Sequence, residues 1–243
     1  MSKEDFVFSN KKDIIISSII IGITLLLCVL IISGTLLKIK GFGQMVSVTG
    51  SAIKPIKSDF GIVELIFEAK SNEITKAYSK MKNDLEIIKE FLKTKNIRED
   101  EYEIKSISKL DFSDNNGKYL YTQLTQTIKI SDTDVEKISK LALAATMLTE
   151  KGVEINAQTQ YIYTKLEDIK LEMLKLATEN AKMRATQIAG IVGKKIGMPI
   201  SAESGVFQIR PRYSQEISDY GISDVSSIDK EIVTTVRVKF LFE

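Results

Sequence analysis

Apolar and polar positions follow three different periods along this chain. From Ile14 to Leu37 there is no alternation at all, and 24 residues pass without a charge. A helix rising about 1.5 Å per residue makes that run roughly 36 Å long, enough to cross a ~30 Å hydrocarbon core. Buried core helices rarely stay uncharged for so long, and a cleaved signal peptide has a shorter apolar stretch and a small-residue exit. Neither Ile32-Ser33-Gly34 nor Ser33-Gly34-Thr35 is a good exit, and bulky Leu27 before Cys28 does not suit lipid attachment. The run therefore reads as an uncleaved transmembrane signal-anchor. Lys3, Lys11 and Lys12 precede it, while Lys38, Lys40, Lys54 and Lys57 follow, so the positive-inside count leaves its direction undecided.

Beyond the anchor the period changes to two and to three or four. Val46–Gly50 and Phe60–Ala69 read as strands, the second with Val63, Leu65, Phe67 and Ala69 on one side. Residues 73–94 have helical period, with Ile74, Tyr78, Met81, Leu85, Ile88 and Leu92 on one face and Ser71 or Asn72 as cap. Two strands, 102–112 and 118–130, flank an Asn116-Gly117 hairpin turn. A helix opening at Ser131–Asp134 carries the stripe Val135, Ile138, Ala142, Ala145 and Leu148, and Lys151-Gly152 ends it. A strand over 153–161 follows. The longest soluble helix, 166–193, lines up Leu166, Ile169, Met173, Ala177, Ala181, Ala185, Ile188 and Val192, with Gly193, Gly197 and Pro199 as terminators. A strand near 202–209, a loose polar connector over 210–230 and a last strand over 231–242 complete the chain.

This order predicts an α+β fold, with largely antiparallel sheet covered by about three helices and one transmembrane helix in front. The predicted divisions are a short cytoplasmic tail over 1–13, expected to lack structure, the anchor over 14–37 and a linker over 38–44. One α+β domain over 45–243 follows, with 210–230 mobile. Gly41-Phe42-Gly43 reads as a flexible exit from the membrane.

Composition then narrows the chemistry. The 34 basic and 32 acidic residues nearly balance, which gives no electrostatic reason to expect nucleic acid. No histidine occurs, which removes imidazole bases and the commonest zinc ligand. Cys28, the sole cysteine, lies inside the apolar run, so the remainder has no thiolate or disulfide chemistry.

Several segments, in order, resemble the SIMPL-domain family of bacterial envelope proteins. Val46–Ala52 followed by Ser58-Asp59 is similar to the family's V-x-G-x-G opening and Pro-Asp step, with Ala52 and Ser58 in place of the second Gly and the Pro. Leu92-Lys93, Asn96-Ile97 and Glu99-Asp100 resemble its L-K, G-I and E-D link. The closest likeness is Ala177 to Gly197, which resembles the A-x-x-x-A-x-x-R-A helix and its glycine-spaced exit. The resemblance covers roughly residues 44–243. It implies a domain outside the cytoplasmic membrane and self-assembly, with no established enzymatic activity and no catalytic residues to carry over.

The remaining chemical candidates are weighed against plainer roles. Gly190–Lys195 falls at a helix end, where glycine and lysine normally terminate helices, rather than in a phosphate loop. Glu64 and Glu68 share a strand face as a conceivable acid/base pair, but exposed carboxylates there are usually just solvated. Tyr119, Tyr121, Gln123, Thr125 and Thr127 form a polar face that could meet another subunit or a glycan. Ser18 and Gly22 form a small-residue pair that could bring anchors together. The expectation is a non-enzymatic, single-pass envelope protein that assembles with itself or binds partners, with no catalytic, cofactor or metal residues and no nucleic acid. The alternative is an envelope hydrolase or ligand-binding enzyme using a carboxylate pair.

Overall fold

The computed structural model describes residues 3–41 and 45–243. Helix α1 (Lys3–Gly41) contains the apolar run, and its stretch Ile16–Thr35 is long and apolar enough to cross a membrane, with a mean hydropathy of 2.8 and none of it buried. Because α1 begins at Lys3, the tail expected to be unstructured is helical over most of its length, continuous with the apolar run. The helix also takes in Lys38–Gly41 of the expected linker. Phe42 and Gly43 of the expected flexible exit lie outside the described residues.

The rest of the chain is α+β, as its periods predict. Among the described residues ten strands follow: β1 (Met45–Lys57), β2 (Phe60–Ser71), β3 (Tyr102–Ile104), β4 (Ser108–Ser113), β5 (Tyr119–Asp132), β6 (Glu154–Ile162), β7 (Ile196–Ser204), β8 (Gln208–Pro211), β9 (Ile222–Ser223) and β10 (Asp229–Phe242). Three α-helices interrupt them, α2 (Ile74–Thr94), α3 (Val135–Ala145) and α4 (Leu166–Ile191), with short 3-10 turns at Glu99–Glu101 and Thr146–Lys151. One sheet has the order β1-β10-β8-β9, with β7 also on β10. The other has the order β3-β5-β2-β6, with β4 also on β5. β2 pairs antiparallel with β5 and β6, as do β3 and β4 with β5 and β8 with β10; β8 and β9 run parallel.

The chain resolves into two compact units. One comprises Met1–Gly50, Asn180–Glu203 and Arg237–Glu243; the other comprises Ser51–Glu179 and Ser204–Val236. The second holds the larger core. Alternate residues of β2 and β5 (Val63, Leu65, Phe67, Ala69; Leu124, Ile128, Ile130) are buried under α2 and α3. Period two makes one face of each strand apolar, and the helices complete it. Gly61 lets α3 pack closely on β2, since a Cβ at that position would stand 3.1 Å from the Ile138 side chain, which would have to shift slightly.

Several local expectations need correction. On α2 the buried line is Ala77, Met81, Asp84, Ile88, Phe91 and Leu92, while Ile74 and Tyr78 of the expected stripe are exposed. Its cap position is Glu73, with no side-chain cap bond; Ser71 Oγ accepts from the Glu73 amide instead. The expected strand over 102–112 breaks into β3 and β4. Its hairpin has one positive φ, at Gly117 (79°), because Gly117 N–H donates to the Asp114 carbonyl and Asp114 Oδ1 accepts from Asn116 and Lys118 amides. That is a type I turn closed by a left-handed glycine, rather than a two-residue turn.

On α4 the buried line is Ile169, Met173, Ala177, Ala181, Ala185 and Ala189, a strict period of four. Ile188 and Val192 are exposed instead. Gly193 (φ 70°) ends the helix, as expected, but Gly197 and Pro199 belong to β7. Pro199 is tolerated because β7 has one sheet neighbour, β10, so one strand edge needs no N–H donor. The stretch read as a loose connector over 210–230 contains part of β8, all of β9 and the start of β10.

Candidate functional site

Opposite its helix-covered side, the β3-β5-β2-β6 sheet presents an open face. The pairing register places its occupants. Leu110 stands opposite Gln123 and Phe112 opposite Tyr121, while Ile66 lies between Thr127 and Asn156. The Phe112 and Tyr121 rings stack with centroids 4.8 Å apart and planes 18° from parallel. Leu110, on the outermost strand, is 56% exposed. The stacked pair and Leu110 thus lie at the β4 edge of this face, beside the Gln and Thr side chains of β5.

The carboxylates singled out in the sequence lie on this face, but each has a lysine partner. Glu64 Oε1 accepts from Lys105 Nζ at 2.7 Å, and Glu68 pairs with Lys70 at 3.1 Å. Lys70 also donates to Glu154 at 2.7 Å; the bonds from Glu154 and then Glu68 raise its ammonium to about 12. Glu64 and Glu68 are four strand steps apart, about 13 Å of backbone, and each carboxylate is held by its own lysine. What this face offers is ring stacking, hydrogen bonding and fixed ion pairs.

Of the polar face read from sequence, Tyr121, Gln123, Thr125 and Thr127 are half-buried on this side of β5. Tyr119 hydrogen-bonds at 2.9 Å with Thr122, whose hydroxyl donates to Asp111 at 2.6 Å. The bond from Lys109, and then that from Thr122, holds the Asp111 carboxyl below its ordinary value.

A second polar cluster was not anticipated. Lys230, 1% exposed, donates from Nζ to the Tyr161 carbonyl at 2.6 Å and to the Asp224 carbonyl, and lies 3.7 Å from the Asp224 carboxylate. That carboxylate accepts from Ser226 and Ser227. Burial pushes Asp224 up, but the serine bonds and the Lys230 charge outweigh it and leave its carboxyl at about 2. Burial likewise depresses Lys230, with Asp224 opposing. Nearby, Asp59 accepts from the Thr164 amide at 2.7 Å and its hydroxyl at 2.9 Å, and Ser58 N–H donates to the Ile228 carbonyl. Asp224-Val225-Ser226-Ser227 is a turn-forming run that could have signalled the loop. Nothing local to Lys230 announces its burial. All its partners are carbonyl or carboxylate oxygens, so the cluster ties backbone segments together.

Among the described residues no group of three or more His, Cys, Asp or Glu is placed to hold a metal. Gly190–Lys195 spans the end of α4 and its left-handed exit, where the Lys194 amide donates back to the Ala189 carbonyl at 2.8 Å. Ser18 and Gly22 both lie within the apolar part of α1.

Two mostly antiparallel sheets and three helices, preceded by one apolar helix long enough to cross a membrane, define an α+β protein whose first helix fits a membrane anchor or a signal sequence. The family model of SIMPL, described as a protein of unknown function (DUF541), matches residues 46–240. The chain belongs to that family. The curated proteins contain no match to it.

Proposed function

We propose that this chain is a non-enzymatic, single-pass membrane protein whose SIMPL domain stands outside the cytoplasm and assembles with further copies of itself. The observation that carries the tether is Ile16–Thr35: twenty residues of helix, uncharged and wholly unburied, directly before the domain. An apolar helix that no part of the protein covers has water or lipid as its surroundings, and lipid is strongly favoured. Assembly is supported by the open face of the β3-β5-β2-β6 sheet. The stacked Phe112 and Tyr121 with Leu110, flanked by the Gln and Thr side chains of β5, combine the aromatic, apolar and polar groups that interfaces use. In this reading the face pairs copies through apolar area and shape, and its ion pairs set the register.

The test is the mass of the full chain in mild detergent, measured by light scattering with the detergent subtracted. The expected result is a discrete multiple of 27.2 kDa. Tyr121→Glu, which places a charge beside Phe112, is expected to shift that mass to the monomer. A monomeric wild-type chain at high concentration contradicts assembly, and an unchanged mass in Tyr121→Glu removes this face as the interface.

A further inference from the structure

The exit of α4 exposes an unusual density of apolar surface. Within the eight residues from Ile191 to Met198, Ile191 is 86%, Met198 76% and Val192 56% exposed. Lys194 and Lys195 lie between them, and Lys194 Nζ stands 5.3 Å over the Phe242 ring. One bulky apolar side chain in water is ordinary, but three around a basic turn form a local patch that a partner would cover.

The tether supplies a reason to identify that partner. Thr35 closes the apolar span, and α1 remains helical to Gly41. Those six steps rise about 9 Å. Four further steps to Met45 add at most about 14 Å. The strand start so delivered, Met45–Gly50, belongs to the same compact unit as residues 180–203 and 237–243. Within that unit Arg184 Nη1 donates to the Thr49 carbonyl at 3.0 Å, and Lys195 and Glu243 exchange backbone bonds of 2.8 and 3.1 Å. The exposed turn is therefore part of the unit the span holds against the bilayer.

We infer that the α4–β7 turn, residues 191–198, is a second membrane contact that rests in the lipid headgroup layer beside the anchor. This inference rests on the proposed membrane tether and extends it. Ile191, Val192 and Met198 enter the headgroup–acyl boundary, while Lys194 and Lys195 meet lipid phosphates, the division of labour of interfacial amphipathic segments. The Glu243 carboxylate, packed against Gly197, adds one negative charge near this turn. Such a contact adds a second point at which this unit meets the bilayer.

Fluorescence quenching in vesicles of phosphatidylethanolamine and phosphatidylglycerol tests the inference on the full chain. A polarity-sensitive fluorophore is placed on Ile191→Cys in a Cys28→Ser background, and separately on native Cys28. The Ile191 label is expected to lose about half its emission to lipids with a nitroxide near the headgroup, and less to lipids with a deep nitroxide. The Cys28 label is expected to respond most to the deep nitroxide. An Ile191 label quenched by aqueous iodide but by neither lipid, with Cys28 still lipid-quenched, overturns the contact and leaves the tether standing. A Cys28 label that no lipid quenches overturns the tether, and the contact falls with it. Lys194→Glu with Lys195→Glu is expected to lessen the Ile191 quenching; unchanged quenching overturns the role given to the lysines.

Discussion

The Lys230 ammonium reaches across to the main-chain carbonyl of Tyr161 at 2.6 Å, fastening the start of β10 to the end of β6. The same group holds the Asp224 carbonyl, while the Tyr161 amide donates to the Val225 carbonyl at 2.7 Å. One buried cation thus fixes the 224–230 loop, because leaving any of these oxygens unpaired out of water is costly.

Lys230→Met keeps the length of the side chain and removes its donors. It is expected to destabilise the protein by about 2 kcal/mol, since two carbonyls and a carboxylate lose a partner in a buried setting. Urea unfolding in detergent, followed through tyrosine emission (eight Tyr and no Trp), measures it. A change under a few tenths of a kcal/mol contradicts the role given to Lys230.

Asp224 makes part of the stability depend on acid. Its carboxyl ionises at about 2 in the folded protein against 3.8 as the ordinary value. The contribution is complete above pH 3.8 and is lost as pH falls towards 2, because the unfolded chain binds that proton first. It amounts to about 2 kcal/mol. Lys230, depressed by burial, has the same sign in an alkaline window: stability rises with pH as its folded value is passed and until 10.5 is reached. Asp224→Asn should flatten the stability profile between pH 4 and 2 relative to wild type. Parallel profiles for the two proteins over that window rule the assignment out.

Gly221 and Gly117 separate backbone strain from collision. Both have positive φ, 86° and 79°. A Cβ on Gly221 would stand 2.8 Å from the Phe207 carbonyl, whereas Gly117 opens onto free space. Gly117→Ala is expected to cost about 1 kcal/mol from conformation alone, and Gly221→Ala about 2–3 kcal/mol. Equal losses in thermal or urea unfolding refute the distinction.

Where burial follows a short period, the sequence made the structure readable. The alternation of β2 and β10, the alanine line of α4 from Ala177 to Ala185 and the αL glycines Gly152 and Gly193 all appear as their patterns predict. Errors arose where a distant partner overrides the local signal. Ile74 and Tyr78 fit a helical stripe, yet Ala77 packs in the core and Asp84 is buried with Lys80 as its partner. Pro199 reads as a breaker until the one-sided pairing of β7 is known. Arg210–Lys230 is polar enough to pass for a loose linker. Its charges instead have partners: Arg210 pairs with Glu231 at 2.8 Å, and Lys230 is buried beside Asp224. The polar face of β5 was legible, but the stacked pair at its β4 edge was not, because Phe112 and Tyr121 meet only through the hairpin register.

The central claim is a domain held outside the cytoplasmic membrane by the apolar run of α1. Cys28 is the sole cysteine, so a Cys28→Ser chain carrying Ser214→Cys has one thiol, half-exposed in the turn after β8. Intact cells are exposed to a thiol reagent that cannot cross the cytoplasmic membrane, and the fraction of chain modified is compared with that in lysed cells. The account predicts equal modification in both. Protection in intact cells, relieved by lysis, contradicts it and places the domain inside.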